Sequence, residues 1–281
     1  MAAVAVAGAA SAQVTITGAM GFGIQDSSDM ARELSWIDGS VKFSVSEDLG
    51  GGMSVAGSTA LAFADHGDAA TADGSSLTVT TGFGAVNYMT GSADADNLGV
   101  ASLPFSTNNV FGGSTTNYAA FNYTLPMFVD GLSVTIRLNQ GNAGNVQVTD
   151  ENEQYRIGYT TGPLAVAFNT TKGASDLKAS YDFGMAKITA FTDVKRAETA
   201  DASMKRREFA ISVPVSSSVT LAASMASRPS FTAGNGDTKG TEYNATYMMS
   251  KRTSLSFNYG SFTASDGAAK TANRIKLVHS F

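Results

Sequence analysis

The stretch that decides the fold is Gln13-Val-Thr-Ile-Thr-Gly-Ala-Met-Gly-Phe-Gly-Ile24. Its even positions carry mostly apolar side chains, among them Ile16 and Phe22, whereas the odd positions after Gln13 hold only threonine, alanine and glycine. A period of two is typical of a β-strand with one apolar and one polar face. The same alternation returns at intervals as far as Phe281, which indicates an all-β chain.

Sixteen segments show this alternation, and we predict one antiparallel strand for each. We expect the true number to be even and to lie between about 14 and 18, because strand boundaries read from a sequence are uncertain by a few residues. The predicted strands lie near 13–24, 37–45, 53–63, 76–83, 85–91, 116–125, 131–140, 153–161, 164–171, 176–183, 185–195, 204–213, 218–227, 240–249, 254–263 and 271–281.

The predicted connections alternate between short and long. Glu47–Gly52 and Gly82–Ala85 are tight and rich in glycine, whereas Gln25–Glu33, Ser92–Thr115 and Thr171–Ser175 belong to a second, longer and polar set. Short turns at one end and longer loops at the other are the arrangement of an up-and-down transmembrane β-barrel.

The width of such a barrel determines which face meets lipid. About sixteen strands enclose a lumen too wide for side chains to fill, so the apolar face must point outward and the polar face must line water. A mean hydropathy of −0.01 with only 15% charged residues fits this division. No run of about 20 apolar residues follows residue 12, so a helical membrane protein is excluded.

Charge and cysteine content exclude further classes. A net charge of −5 argues against a nucleic-acid partner, and the absence of cysteine excludes thiol catalysis and zinc–thiolate sites.

Residues 1–12 are small and apolar and end in Ala10-Ser11-Ala12, which fits the cleavage site of a secretory signal. We therefore interpret 1–12 as a signal-peptide remnant and 13–281 as one barrel domain.

Several short motifs resemble one known family. The last strand, Asn273–Phe281, ends the chain on phenylalanine, in the manner of the assembly signal of Gram-negative outer-membrane proteins. The start at Gln13, the turn Glu47–Gly52 and the segment Gly82–Val86 are similar to general bacterial porins of the proteobacterial type. This resemblance implies a homotrimer in the outer membrane, embedded in its lipid, with sixteen strands per subunit and the third long loop folded into the lumen. It also implies passive diffusion of ions and small hydrophilic solutes.

The longest predicted loop, Ser92–Thr115, is too apolar for a solvated tail, since it holds two phenylalanines and several aliphatic side chains. Loops of this length are usually functional or disordered. Its only charges are Asp94 and Asp96, which we assign to a pore constriction. The alternatives are an external flap or a loop that contacts a neighbouring subunit.

We expect the opposing positive charges of the constriction on inward strand positions. Charged rings that line a pore select ions, and a charge facing lipid at mid-bilayer costs about 2–4 kcal/mol. Lys42, Arg137 and Arg156 are the predicted partners of the two loop acids. The simpler reading is that such side chains are solvated wall charges at scattered heights. The other charges with inward parity are Asp38, Lys178, Asp182, Arg206, Glu208, Arg274 and Lys276.

Enzymatic readings find little support. His66 lies in a predicted long polar loop and His279 has outward parity near the C-terminus, and neither has an obvious partner for a hydrolytic site. We therefore expect no catalytic site, no metal site and no cofactor. Two other functions stay open: a structural or adhesive barrel, and a substrate-selective channel whose lumen would carry a ladder of stacked aromatic side chains.

Overall fold

The computed structural model describes residues 13–28, 30–63, 70–94, 115–141, 153–171, 173–195, 204–228, 238–263 and 267–281. Among them, no helix is long and apolar enough to cross a membrane. The strands are β1 (Gln13–Ser27), β2 (Met30–Gly50), β3 (Met53–Phe63), β4 (Ala70–Thr81), β5 (Gly84–Asp94), β6 (Thr115–Thr124), β7 (Leu132–Gly141), β8 (Glu153–Thr161), β9 (Leu164–Thr171), β10 (Ala174–Asp182), β11 (Lys187–Lys195), β12 (Met204–Pro214), β13 (Val219–Arg228), β14 (Thr238–Met248), β15 (Thr253–Thr263) and β16 (Ala269–Ser280).

The sheet closes on itself. Each strand pairs antiparallel with its neighbours in the chain, and β1 pairs with β16. At this seam the Gly18 amide donates to the Phe281 carbonyl and the Phe281 amide donates to the Gly18 carbonyl, both at 3.0 Å. Closure satisfies the backbone groups of the described strands without an open edge, as hydrocarbon surroundings require. The predicted closed barrel of sixteen antiparallel strands is confirmed.

The two ends of the barrel differ. Seven connections at one end, the turn end, range from two residues (51–52) to seven (125–131). The opposite end, the loop end, includes the connection 95–114 between β5 and β6.

Two predicted long connections are wrong. Most of the predicted connection Gln25–Glu33 belongs to β1 and β2, where Gln25 Nε2 donates to Glu33 Oε1 at 2.9 Å. Only residues 172–173 separate β9 from β10. The hydrogen-bonded ladder extends beyond the apolar band, where the hydropathy pattern that predicts strands has already ended.

The distribution of exposed and buried side chains is the reverse of that in a soluble domain. Outward apolar side chains are exposed, with 55% for Ile16 and 51% for Phe22. Inward polar side chains are buried among their neighbours, with 3% exposure for Asn169 and 0% for Asn258. Apart from Phe191, the buried apolar residues of the described ranges are alanines. The predicted orientation, apolar face outward and polar face inward, is confirmed.

A β-bulge changes one predicted stripe. Gly21 pairs with Asp38 and Phe22 pairs with Trp36, so Ile37 is an extra residue in β2. Trp36, which lies outside the predicted strand, therefore joins the outward row next to Phe22. A bulge adds one residue to one strand only, and alternation within that strand does not reveal where the extra residue lies.

Candidate pore lining

A row of polar side chains, here called the polar belt, follows the inner wall from β5 to β12. Pairing across neighbouring strands, diagonal between Arg137 and Arg156 and direct elsewhere, places these residues on one face, because side chains opposite each other in an antiparallel ladder point the same way. The members of the polar belt are Asn87, Asn122, Arg137, Arg156, Asn169, Asp176, Asp193 and Arg206.

The first part of the belt holds Arg137 on β7. Its Nε donates to Asn122 Oδ1 at 2.7 Å, and its Nη2 lies 3.3 Å from the sulfur of Met89. Asn122 in turn donates to Asn87 Oδ1 at 2.9 Å, and Asn87 donates to Thr78 Oγ1 at 2.8 Å. These contacts with β6 and β5 hold the guanidinium against the inner wall.

The second part of the belt holds Arg156 on β8. Its Nε donates to Asn169 Oδ1 at 3.0 Å, and Asn169 Nδ2 donates to Asp176 Oδ1 at 2.7 Å. Asp176 is only 4% exposed, so its carboxylate lies beneath the surface of the lumen. Arg137 pairs directly with Gln154. Arg156 is therefore its diagonal neighbour, at a distance of about 7–8 Å between Cα atoms.

The third part of the belt is an ion pair between β11 and β12. Arg206 Nη2 lies 3.2 Å from Asp193 Oδ2, and the Arg206 amide donates to Asp193 Oδ1 at 2.7 Å. The guanidinium carbon also lies 4.8 Å from the centre of the Phe191 ring. Phe191 faces the lumen but is only 6% exposed, because the ion pair lies beside and above its ring. This part of the wall presents a largely neutralised surface.

The wall formed by β3 and β4 is different, because its inward side chains are small. Every inward position of β3 from Ser54 to Ala62 holds serine or alanine. Lys42 of β2 pairs with Ala60 of β3 and is exposed in the lumen. This face leaves more room inside the barrel than the polar belt does.

The structure brings together only some of the predicted site residues. Arg137 and Arg156 are neighbours in the polar belt, whereas Lys42 lies five strands away on β2. Asp94 is the last residue of β5 and pairs with Thr115, and Asp96 lies outside the described residues. Among the described residues, no group of three or more His, Asp or Glu side chains could hold a metal ion.

Sequence reasoning missed the asparagines that hold the arginines. Asn122 and Asn169 have inward parity, but so do many neutral residues, and their importance depends on standing directly beside Arg137 and Arg156 in the next strand. An inter-strand register would have identified them.

Comparison with known proteins agrees with this architecture. A family model described as Gram-negative porin matches residues 1–267. No curated protein sequence matches the chain. An anion-selective porin from Comamonas acidovorans has a similar structure, with a TM-score of 0.76 and 16% identity over 96% of this chain and 100% of that chain. OmpT of Vibrio cholerae in its trimer form has a TM-score of 0.71 and 13% identity, over 96% of this chain and 99% of that chain. A mutant porin of Rh. blastica has a TM-score of 0.67 and 13% identity, over 96% and 100%.

Proposed function

Because this chain belongs to the Gram-negative porin family, we propose that its outer-membrane channel is a general diffusion pore whose narrowest zone lies beside Arg137 and Arg156. The observation that carries the proposal is the pair of guanidinium groups held on the inner wall by Asn122 and Asn169. Fixed charges on a pore wall act on every ion that passes close to them.

The loop between β5 and β6 supplies the opposite side of this zone. Asp94 ends β5, and Asp96 follows two residues later in the connection 95–114. The small side chains of β3 support an inward fold of this loop, because they leave space next to the strand pair that carries it. Lys42 then adds a positive charge on the spacious wall. In this arrangement, negative loop charges and positive wall charges face each other across the water path.

The residues that line the lumen fit passive diffusion better than catalysis or a substrate-selective channel with a ladder of stacked aromatic side chains. His279 faces outward and bonds through Nδ1 to Thr253 Oγ1 at 2.9 Å, away from the lumen. Among inward positions with described side chains, the aromatic residues are Phe191 and Phe262, which lie on the separated strands β11 and β15 and form no continuous stack. We therefore propose no enzymatic activity and no specific sugar track.

We further propose that the outer wall of β1 to β4 is the contact surface of a homotrimer. Outward tyrosines mark the turn end over much of the barrel: Tyr123, Tyr159, Tyr181 and Tyr247. The corresponding outward positions of β1 to β4 are valines: Val14, Val45, Val55 and Val79. Aromatic girdles mark the lipid–water boundary, so a wall without one fits contact with another subunit. One solved structure with this fold is a trimer.

Ion selectivity in planar bilayers tests the constriction. A unit charge about 7 Å from a permeating ion changes its energy by about 0.3 kcal/mol after screening at 0.1 M salt. Two such charges act oppositely on cations and anions, so Arg137→Gln/Arg156→Gln should raise the cation-to-anion permeability ratio about sevenfold. Asp94→Asn/Asp96→Asn should shift the ratio toward anions.

The matched control is Lys251→Gln/Arg252→Gln, which removes two positive charges from an exposed turn at the turn end. It should leave selectivity nearly unchanged. Unaltered selectivity in both constriction variants would refute the proposed site. The absence of conductance in wild-type protein would favour a structural barrel, and saturable block by one solute would favour a selective channel.

A further inference from the structure

A groove with a volume of about 560 Å³ opens across β12 to β16 near the loop end. Most residues that line it have outward parity. On the lumen side Ala226 is only 7% exposed, and a Cβ added at Gly240 would lie 2.8 Å from the Phe262 Cβ. Because the inner surface is filled at this point, the groove opens on the outer wall of the barrel.

Two basic side chains stand on either side of a serine in this groove. Arg207 pairs with Ser227, and Ser227 pairs with Lys239, so the three residues form one row across β12, β13 and β14. Two strand spacings place the Cα atoms of Arg207 and Lys239 about 10 Å apart. Both long side chains can therefore reach a group bound above Ser227.

The row carries two positive charges, those of Arg207 and Lys239. Arg207 and Lys239 are exposed, and within the described part of the chain neither forms an ion pair with an acidic side chain. Lys205, two residues before Arg207, has the same outward parity. By contrast, Arg32, which also faces outward near the loop end, lies 3.1 Å from Asp26.

The height of the row corresponds to the edge of the membrane. Arg207 lies seven residues from Pro214 and Lys239 lies nine residues from Met248, and both of these residues are at the turn end. With a rise of about 3.4 Å per residue and a tilt of about 40°, the heights are about 18 and 23 Å, in an apolar band about 25 Å tall. This is the level at which lipid headgroups replace acyl chains on the outer side.

Below the row the groove is apolar. Phe209 and Met225 pair across β12 and β13 one step closer to the turn end and are 41% and 58% exposed. A cationic rim above an exposed apolar surface complements a molecule with an anionic head and hydrocarbon chains. We propose that this groove binds an outer-leaflet lipid whose headgroup carries phosphate, with the phosphate above Ser227 and an acyl chain along Phe209 and Met225.

The test uses the folded protein in an uncharged detergent and measures lipid binding by native mass spectrometry. The probes are phosphatidic acid and a diacylglycerol with the same acyl chains, which differ only in the phosphate. Near a membrane surface each Lys or Arg contributes enough attraction for about a fivefold change in affinity. Arg207→Gln/Lys239→Gln should therefore raise the dissociation constant for phosphatidic acid about thirtyfold and leave diacylglycerol binding and conductance unchanged.

Matched variants and competition distinguish the possible occupants. Lys251→Gln/Arg252→Gln, with the same loss of charge at the turn end, should bind phosphatidic acid like wild type, and each single groove variant should lose about fivefold. Equal losses in the control pair, or equal wild-type affinity for both lipids, would overturn the proposal. Displacement of the lipid by millimolar inorganic phosphate would identify a free-anion site instead. Dissociation of the oligomer in the groove variant would identify a subunit contact instead.

Discussion

Replacing Ala222 or Ala223 by arginine gives two proteins of identical composition that differ only in the face that carries the charge. Ala222 pairs with Ser212 and Asn244 on the inner face, whereas Ala223 pairs with Ile211 and Tyr243 on the outer face. The two positions are adjacent in β13, so local backbone effects are nearly the same. The difference in stability between the two variants therefore reports the difference between the surroundings of the inner face and those of the outer face.

The magnitude follows from the height of the site. Ala223 lies four residues from Val219, the first residue of β13, which corresponds to about 10 Å above the turn end. In an apolar band about 25 Å tall this is close to the middle, where an outward arginine costs about 2–4 kcal/mol. Ala222→Arg places the same charge in the water-filled lumen, and we expect a change in unfolding free energy within about 0.5 kcal/mol.

The assay is reversible unfolding in guanidinium chloride with the protein inserted in phospholipid vesicles. The single tryptophan, Trp36, reports unfolding by fluorescence from β2, far from the substituted strand. Ala223→Leu controls for side-chain volume and should be nearly neutral. The reasoning is refuted if Ala222→Arg loses as much stability as Ala223→Arg, or if Ala223→Leu loses as much as the arginine variant.

Two further predictions concern the packing of single residues. Phe191→Leu should remove the cation–π contact with Arg206, so a double-mutant cycle with Arg206→Gln should give a coupling of about 1 kcal/mol, and additive losses would argue against the contact. Gly131 and Gly51 both have positive φ, at 78° and 62°, but only at Gly131 would a Cβ collide with the carbonyl oxygen of Thr160. Gly51→Ala should cost about 1–2 kcal/mol, whereas Gly131→Ala should cost clearly more in the same unfolding assay; equal losses would contradict this.

The architecture could be predicted from the sequence because it depends on a local signal. Alternation of apolar and polar residues, as in Gln13–Ile24, reflects the two solvents on either side of each strand. The order of strands then follows from short connections, which make sequence neighbours into spatial neighbours. The inward parity of Arg137 and Arg156 comes from the same alternation and needs no knowledge of the other strands.

The remaining features depend on relations between strands. The contact of Arg137 with Asn122 depends on the register of β6 against β7. The hydropathy pattern shows which face of the strand a residue occupies, but it does not show which residue of the neighbouring strand lies opposite. Trp36 joins the outer wall only because of the extra residue Ile37. The groove beside Arg207 likewise appears only when the five strands β12 to β16 are aligned.

Fluorescence quenching on one strand tests the inside-out arrangement most directly. The chain has no cysteine, so single cysteines at Ile157 and Thr160 of β8 can carry the same fluorophore. Both positions are exposed, and they lie on opposite faces of the wall. In reconstituted protein, lipids with a nitroxide on the acyl chain should quench the label at Ile157, and aqueous iodide should quench the label at Thr160. The opposite pattern would contradict a barrel whose apolar face meets lipid and whose polar face encloses water.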